Sequence, residues 1–171
     1  MKNILLLVVA ISLASCTQRD RYTQKSAEIE TYKKAVAAYE KRDWETMTSF
    51  YADTAKILNN VTKKDAKTVA QALDINKEDA ELFSKWEYVA SESEYEMVTT
   101  DKGETWVNFF ALWKATLKSN GKEYEIPCFT TARFIDGKIV RELGYWDNSK
   151  VLPDIVASMA TKPADSTKTV Q

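Results

Sequence analysis

The hydrophobic rhythm of the chain changes twice: an unbroken apolar run over residues 4–13, apolar positions at helical spacing as far as Trp86, then strand-like segments. Ile29, Tyr32, Val36 and Tyr39 recur at steps of three, four and three, which predicts a helix capped by Ser26. Asp43 can cap a second short helix carrying Trp44, Met47, Phe50 and Tyr51, and 55–58 reads as a first short strand. Residues 61–86 read as helical again, with Thr62 and Asn76 as candidate caps and Val69, Leu73, Leu82, Phe83 and Trp86 as apolar anchors. Beyond Trp86 the pattern predicts strands over 87–100, 104–117, 122–135 and 138–147. Asn120-Gly121 and Asp136-Gly137 fall between them, and such pairs favour tight hairpins because both central residues of a type I′ turn have positive φ. The expected product is an α+β domain with helices first and an antiparallel meander after them.

The segment 104–117 carries apolar residues on both faces, Val107, Phe109, Ala111, Trp113 and Leu117 on one and Trp106, Phe110 and Leu112 on the other. Such a strand needs a cover on each side. Helices can supply one. For the other, a second copy of the chain is expected, giving a homodimer through the sheet; the alternative is cover by a flanking helix or the C-terminal segment. Residues 149–159 suggest a short closing helix or turn, and 157–171 read as a polar, disordered tail.

The apolar run at the start follows Lys2 and leads into Leu13-Ala14-Ser15-Cys16. It is about half the roughly 20 residues that a spanning helix needs. The segment resembles a bacterial lipoprotein signal, which implies removal of 1–15, lipidation of Cys16, a tether over 16–25, and a domain over 26–156 held to a bilayer at the cell envelope. Two or more acyl chains, at about 0.8 kcal/mol per buried methylene, make such attachment durable.

Composition narrows the chemistry. Histidine is absent from the 171 residues, so no Ser-His-Asp or Cys-His arrangement and no imidazole metal ligand can form. Any catalysis rests on carboxylates, tyrosine, lysine or a cofactor. The four glycines build no phosphate loop, and no cofactor or metal is expected. With charges interspersed and a net charge of −1, no basic stripe points to nucleic acid. Of the two cysteines, Cys128 has no intrachain partner once Cys16 is lipidated, and it reads as a core residue.

Two runs carry a family likeness. Residues 42–55, Arg42-Asp43-Trp44 through Phe50-Tyr51-Ala52-Asp53-Thr54-Ala55, and the closing pair 133–142 with Tyr145-Trp146-Asp147, resemble the nuclear transport factor 2-like superfamily, which includes ketosteroid isomerases and polyketide cyclases. The resemblance implies helices packed on a strongly curved antiparallel sheet, a cone. It also implies where an isomerase would keep its base, tyrosine and acid. Those positions hold Asn59, Ala35 and Thr130, so that chemistry is expected to be missing.

If strand parity follows the family, Cys128, Thr130, Ala132, Phe134, Glu142 and Trp146 point into the cone. Thr130, Phe134, Glu142, Trp146 and Asn59 are therefore the candidate ligand-binding residues, and Glu142 is the one candidate acid or base. Its bland counterpart is an ion pair with Arg133 or Arg141 at the strand edge, or simple exposure at the mouth. The leading expectation is a noncatalytic envelope lipoprotein domain that binds a small apolar ligand or a partner protein. Two alternatives stand beside it: a polyketide-cyclase-like or isomerase-like enzyme using a carboxylate, and a structural lipoprotein with a filled cavity.

Overall fold

A computed structural model describes residues 21–160. The expected signal peptide, the lipidation site Cys16 and most of the expected tail lie outside the described residues. The elements run β1 (Tyr22–Thr23), α1 (Ala27–Glu40), α2 (Trp44–Ser49), β2 (Tyr51–Asn59), α3 (Val69–Leu82), β3 (Phe83–Tyr88), β4 (Glu94–Thr99), β5 (Thr105–Leu117), β6 (Glu123–Ile135), β7 (Lys138–Trp146) and α4 (Leu152–Ala160). β1 lies within the expected tether, and α4 runs past the expected domain end at residue 156.

The first two caps form as their side chains predict. The Ile29 amide donates to Ser26 Oγ and the Thr46 amide to Asp43 Oδ1, each at 3.1 Å, satisfying orphan donors of a first turn. Helix α1 then buries Ile29, Tyr32, Ala35 and Ala38. The third helix differs from expectation. Thr62 heads only a 3₁₀ turn, and the capping box belongs to Thr68 and Gln71.

Phe83 and Trp86, whose spacing of three looks helical, sit in β3. There the register against β5 slips between Phe83↔Leu117 and Lys85↔Thr116, so two residues face one. That bulge turns both aromatics to the core despite their odd spacing, and so imitates a helical period. The expected strand 87–100 is likewise interrupted, by a 3₁₀ turn at Ala90–Glu92. β3 and β4 lie one after the other along the same edge of β5.

The sheet order is β1-β4-β5-β6-β7-β2, with β3 also on β5. This corrects the expected strongly curved antiparallel cone. The sheet is open, β1 and β2 ending it without closing on each other, and it is mixed, because β2 pairs with β7 in parallel. A helix and a short second helix precede β2, so the chain returns to the sheet on the same heading as β7. The Asp136-Gly137 turn is the tight one expected, with φ of 49° and 75°, whereas only Gly121 has positive φ at the 119–121 loop.

Two apolar clusters fill the helix-covered side. One joins Ile29 and Tyr32 to Val107, Phe109, Ala132, Phe134 and Ile139, and the other joins Phe83 and Trp86 to Leu117, Tyr124, Ile126 and Val151. Helix α4 packs on this same side through Ile155, with Val151 just before it, and is held to the start of β6 by hydrogen bonds from Tyr124 and the preceding Lys122 to Asp154. On the opposite face Phe110, Phe129 and Tyr145 stand opposite one another on three adjacent strands, the two phenyl rings 4.9 Å apart. Phe110 and Tyr145 are 44% and 51% exposed, and no described element covers them.

Candidate active site

A cavity of about 420 Å³ opens between the helices and the sheet. Its inner end is built by three neighbouring strands. Asn59 on β2 lies beside Gly144 on β7, and Gly144 stands opposite Thr130 on β6. Two residues earlier on β7, hence on the same face, is Glu142, opposite Ala132 and beside Ile57. Trp146 completes this side, opposite Cys128. Strand pairing thus gathers four of the five expected ligand-binding residues: Asn59, Thr130, Glu142 and Trp146 all line the cavity. Phe134 does not. It is 5% exposed in the core, its ring edge-on to Tyr32 at 6.4 Å.

Glu142 is 8% exposed and has no cationic partner among the described residues. The ion pair considered for it is not made; Arg133 pairs with Glu104, 3.1 Å away. Two tyrosine hydroxyls hold the carboxylate instead. Tyr51 donates to Oε2 at 2.7 Å, Tyr32 lies 3.3 Å from the same oxygen, and neither reaches Oε1. The Tyr32 hydroxyl is also 2.8 Å from Thr130 Oγ1. With the Thr130 hydroxyl donating to Tyr32, the three groups form a chain that ends on the carboxylate.

Burial raises the Glu142 pKa, and hydrogen bonds from Tyr51, Tyr32 and Asn59 offset part of that rise. A carboxylate with a raised pKa, hydrogen-bonded but unpaired with any cation, can both accept and return a proton. Tyr32 and Tyr51 are pushed well above their ordinary value, first by burial and then by the Glu142 charge, so both remain donors.

Asn59 contributes a second reactive feature. Its Oδ1 is buried without a hydrogen-bond partner among the described residues. Gly144 makes this arrangement possible, since a Cβ there would stand 2.6 Å from Asn59 Oδ1 and 2.5 Å from Trp146 Cζ3. Asn60, which has a φ of 52°, secures the neighbouring indole-bearing strand: its amide nitrogen donates to the Trp146 carbonyl at 2.9 Å and its Oδ1 accepts from the Trp146 amide at 3.2 Å. Cys128 proves to be a half-buried cavity residue, its thiol pushed up to about 11 by burial.

Sequence reading missed Tyr32 and Tyr51 as site residues. Both belong to apolar patterns, and a tyrosine in a core stripe carries no mark that its hydroxyl will meet a carboxylate about a hundred positions away. Among the described residues, no group of three or more acidic or cysteine side chains could hold a metal.

An α+β domain with helices over one face of an open sheet, and a buried carboxylate at the inner end of the intervening cavity, is of the nuclear transport factor 2-like type. Residues 32–142 match the SnoaL-like domain, and the chain belongs to that family. No curated protein matches the chain. Among solved structures it is similar to a provisionally named polyketide cyclase from Xanthomonas campestris, at 16% identity over 80% of this chain and 98% of that one, with a TM-score of 0.60. It is also similar to IdmH, provisionally named a polyketide cyclase, from Streptomyces antibioticus, at 17% identity over 75% and 98% of the two chains and a TM-score of 0.60. AclR from Streptomyces galilaeus, provisionally named a hydroxylase, matches at 13% identity over 79% and 97%, with a TM-score of 0.57.

These observations overturn the expectation of a noncatalytic binding domain. Beside Asn59 and Thr130, two of the positions expected to lack isomerase chemistry, the fold assembles a carboxylate and two tyrosines, and the similar structures bear enzyme names.

Proposed function

We propose that this chain is a carboxylate-dependent enzyme acting on a small, largely apolar carbonyl compound of the polyketide kind. Glu142 takes a proton from the carbon next to a carbonyl: the C–H bond breaks, an O–H bond forms on the carboxylate, and the electron pair moves to the carbonyl oxygen as an enolate. Attack of the enolate carbon on a second carbonyl of the same molecule forms the ring bond, and Glu142 returns its proton to the resulting alkoxide. The cycle is redox-neutral and needs no cofactor. Thr130 and Tyr32 position the carboxylate, Asn59 Oδ1 accepts a substrate hydroxyl, and Trp146 supplies an apolar wall.

One observation carries this reading: a buried carboxylate at the inner end of a cavity, unpaired with any cation and bonded by tyrosines through one oxygen only. The test is exchange of the α-hydrogens of 2-tetralone in deuterated water, followed by proton NMR. The protein accelerates exchange, and Glu142→Gln lowers the acceleration by roughly a hundredfold or more. Equal rates for the two proteins sink the proposal.

The cellular setting is part of the same proposal. The apolar run over 4–13 and the Leu13-Ala14-Ser15-Cys16 sequence support lipidation of Cys16, with the domain over the following residues working at the bacterial envelope. The exposed row Phe110, Phe129 and Tyr145 supports a homodimer through the outer face of the sheet.

A further inference from the structure

Proton removal by Glu142 leaves a negative charge on the substrate oxygen, and the groups around the carboxylate are not free to meet it. The Tyr32 and Tyr51 hydroxyls are taken up by the carboxylate itself, and Asn59 presents a carbonyl oxygen. A cation stands elsewhere on the same wall. Lys67 is half-buried and lines the cavity with Glu142, yet among the described residues its ammonium makes no ion pair and no hydrogen bond. The acid two positions earlier, Asp65, accepts from Thr62 Oγ1 at 2.8 Å instead.

Backbone pairing fixes where this lysine starts. Its amide donates to the Ile57 carbonyl at 2.8 Å and its carbonyl accepts from the Ile57 amide at 2.9 Å, an isolated antiparallel bridge on the free edge of β2. On its other side Thr68 opens α3 with the capping box. Ile57 in turn stands beside Glu142, Glu142 opposite Ala132, and Ala132 opposite Val107. Paired residues of neighbouring strands share a face, so Lys67, Ile57, Glu142, Ala132 and Val107 form one row on the helix-covered side. Two steps of that row, about 10 Å between backbones, separate Lys67 from Glu142. A carbonyl compound fits the interval: a carboxylate oxygen about 3 Å from the acidic carbon and an ammonium about 2.8 Å from the adjoining carbonyl oxygen stand roughly 8 Å apart in line. The buried Ile57 between them is an apolar floor.

We infer that Lys67 binds the carbonyl oxygen of the substrate and holds the negative charge that Glu142 creates there. The inference rests on the enzymatic reading and supplies the partner of its oxyanion. The ammonium donates a hydrogen bond and keeps its proton. The electron pair of the broken C–H bond comes to rest on the oxygen beside it, and leaves that oxygen again when the ring bond forms. Lys67 and Glu142 therefore orient the substrate together, with its acidic carbon toward β7 and its carbonyl oxygen toward the outer edge of β2.

Two measurements test this. In the 2-tetralone exchange, Lys67→Met keeps the apolar stem, removes the charge and lowers kcat about tenfold or more with little change in KM, while Lys67→Arg restores part of the rate. For binding without turnover, 4-nitrophenolate stands in for the enolate and nitrobenzene for its uncharged frame, at pH 8 in the Glu142→Gln protein, where the Glu142 charge no longer repels the anion. Adding Lys67→Met weakens 4-nitrophenolate about tenfold, the worth of one charge-assisted hydrogen bond, and leaves nitrobenzene as it was. Circular dichroism establishes that the variants fold. A native acceleration that Lys67→Met keeps in full overturns the inference, as does equal weakening of both probes or of neither. A native protein that leaves 2-tetralone exchange unaccelerated sinks the enzymatic reading alone, and the binding of 4-nitrophenolate then decides the oxygen site.

Discussion

Tyr51 donates a hydrogen bond to Glu142 at 2.7 Å across two strands that run parallel. The contact depends on an irregular stretch. Between Tyr51↔Ile139 and Lys56↔Arg141 the register shifts, β2 using five residues where β7 uses two, and the slack lets a tyrosine at the start of β2 reach a carboxylate farther along β7.

The raised pKa of Glu142 sets a pH dependence of stability. The folded state keeps this proton at pH values where the unfolded chain, near the ordinary value of 4.5, has lost it. Unfolding stability therefore falls as pH rises from the unfolded value through the raised folded one, and is level above it. Thermal melts of Glu142→Gln should show a higher Tm than the native protein at pH 8 and a smaller difference at pH 4. A difference that does not change with pH sinks this assignment.

Tyr51→Phe removes a donor to the charged form of Glu142, so the carboxylate should hold its proton to still higher pH. The acidic limb of the 2-tetralone exchange profile then moves to higher pH, and stability falls by about 1–3 kcal/mol at neutral pH. An unmoved limb means that the hydroxyl does not tune the carboxylate.

Gly144→Ala puts a methyl group 2.5 Å from Trp146 Cζ3 and 2.6 Å from Asn59 Oδ1. Both side chains must yield. The expected cost is about 1–3 kcal/mol in chemical denaturation, with weaker binding of 2-naphthol in the same preparation. Native-like stability and binding together would show that the strands part at no cost.

The exposed row of Phe110, Phe129 and Tyr145 predicts a dimer of the domain lacking residues 1–20 at micromolar concentration. Sedimentation velocity should give twice the monomer mass, and Phe110→Glu should return it to one. A native domain that sediments as a monomer removes the proposed interface.

Cys16→Ser addresses the anchor. In bacterial cells the native chain should fractionate with membranes and the variant with the soluble fraction. Equal partitioning of the two in detergent phase separation would count against lipidation.

Much of the local structure was legible in one dimension because it follows from neighbours. The Ser26 and Asp43 caps, the amphipathic stripe of α1 and the Asp136-Gly137 turn each depend on residues a few positions apart. The strand parity implied by the family resemblance put Thr130, Glu142 and Trp146 on one face, and the pairing of β6 with β7 has them so. Where expectation failed, a long-range pairing had intervened. The bulge against β5 turned Phe83 and Trp86 into a false helical period, and the interruption at Ala90–Glu92 split one expected strand into two.

By itself, then, the sequence determined that histidine chemistry is impossible here and that the long strands come after the first helices, and the family resemblance added an inward face shared by Glu142 and Thr130. It could not reveal that Tyr32 and Tyr51 would meet that carboxylate, at separations of 110 and 91 residues. Nor could it show the open, mixed sheet. Composition and local periodicity are properties of neighbours along the chain, whereas the state of a buried carboxylate depends on which hydroxyls the fold brings to it, and that was decided by the packing of α1 on the sheet for Tyr32 and by the parallel return of β2 onto β7 for Tyr51.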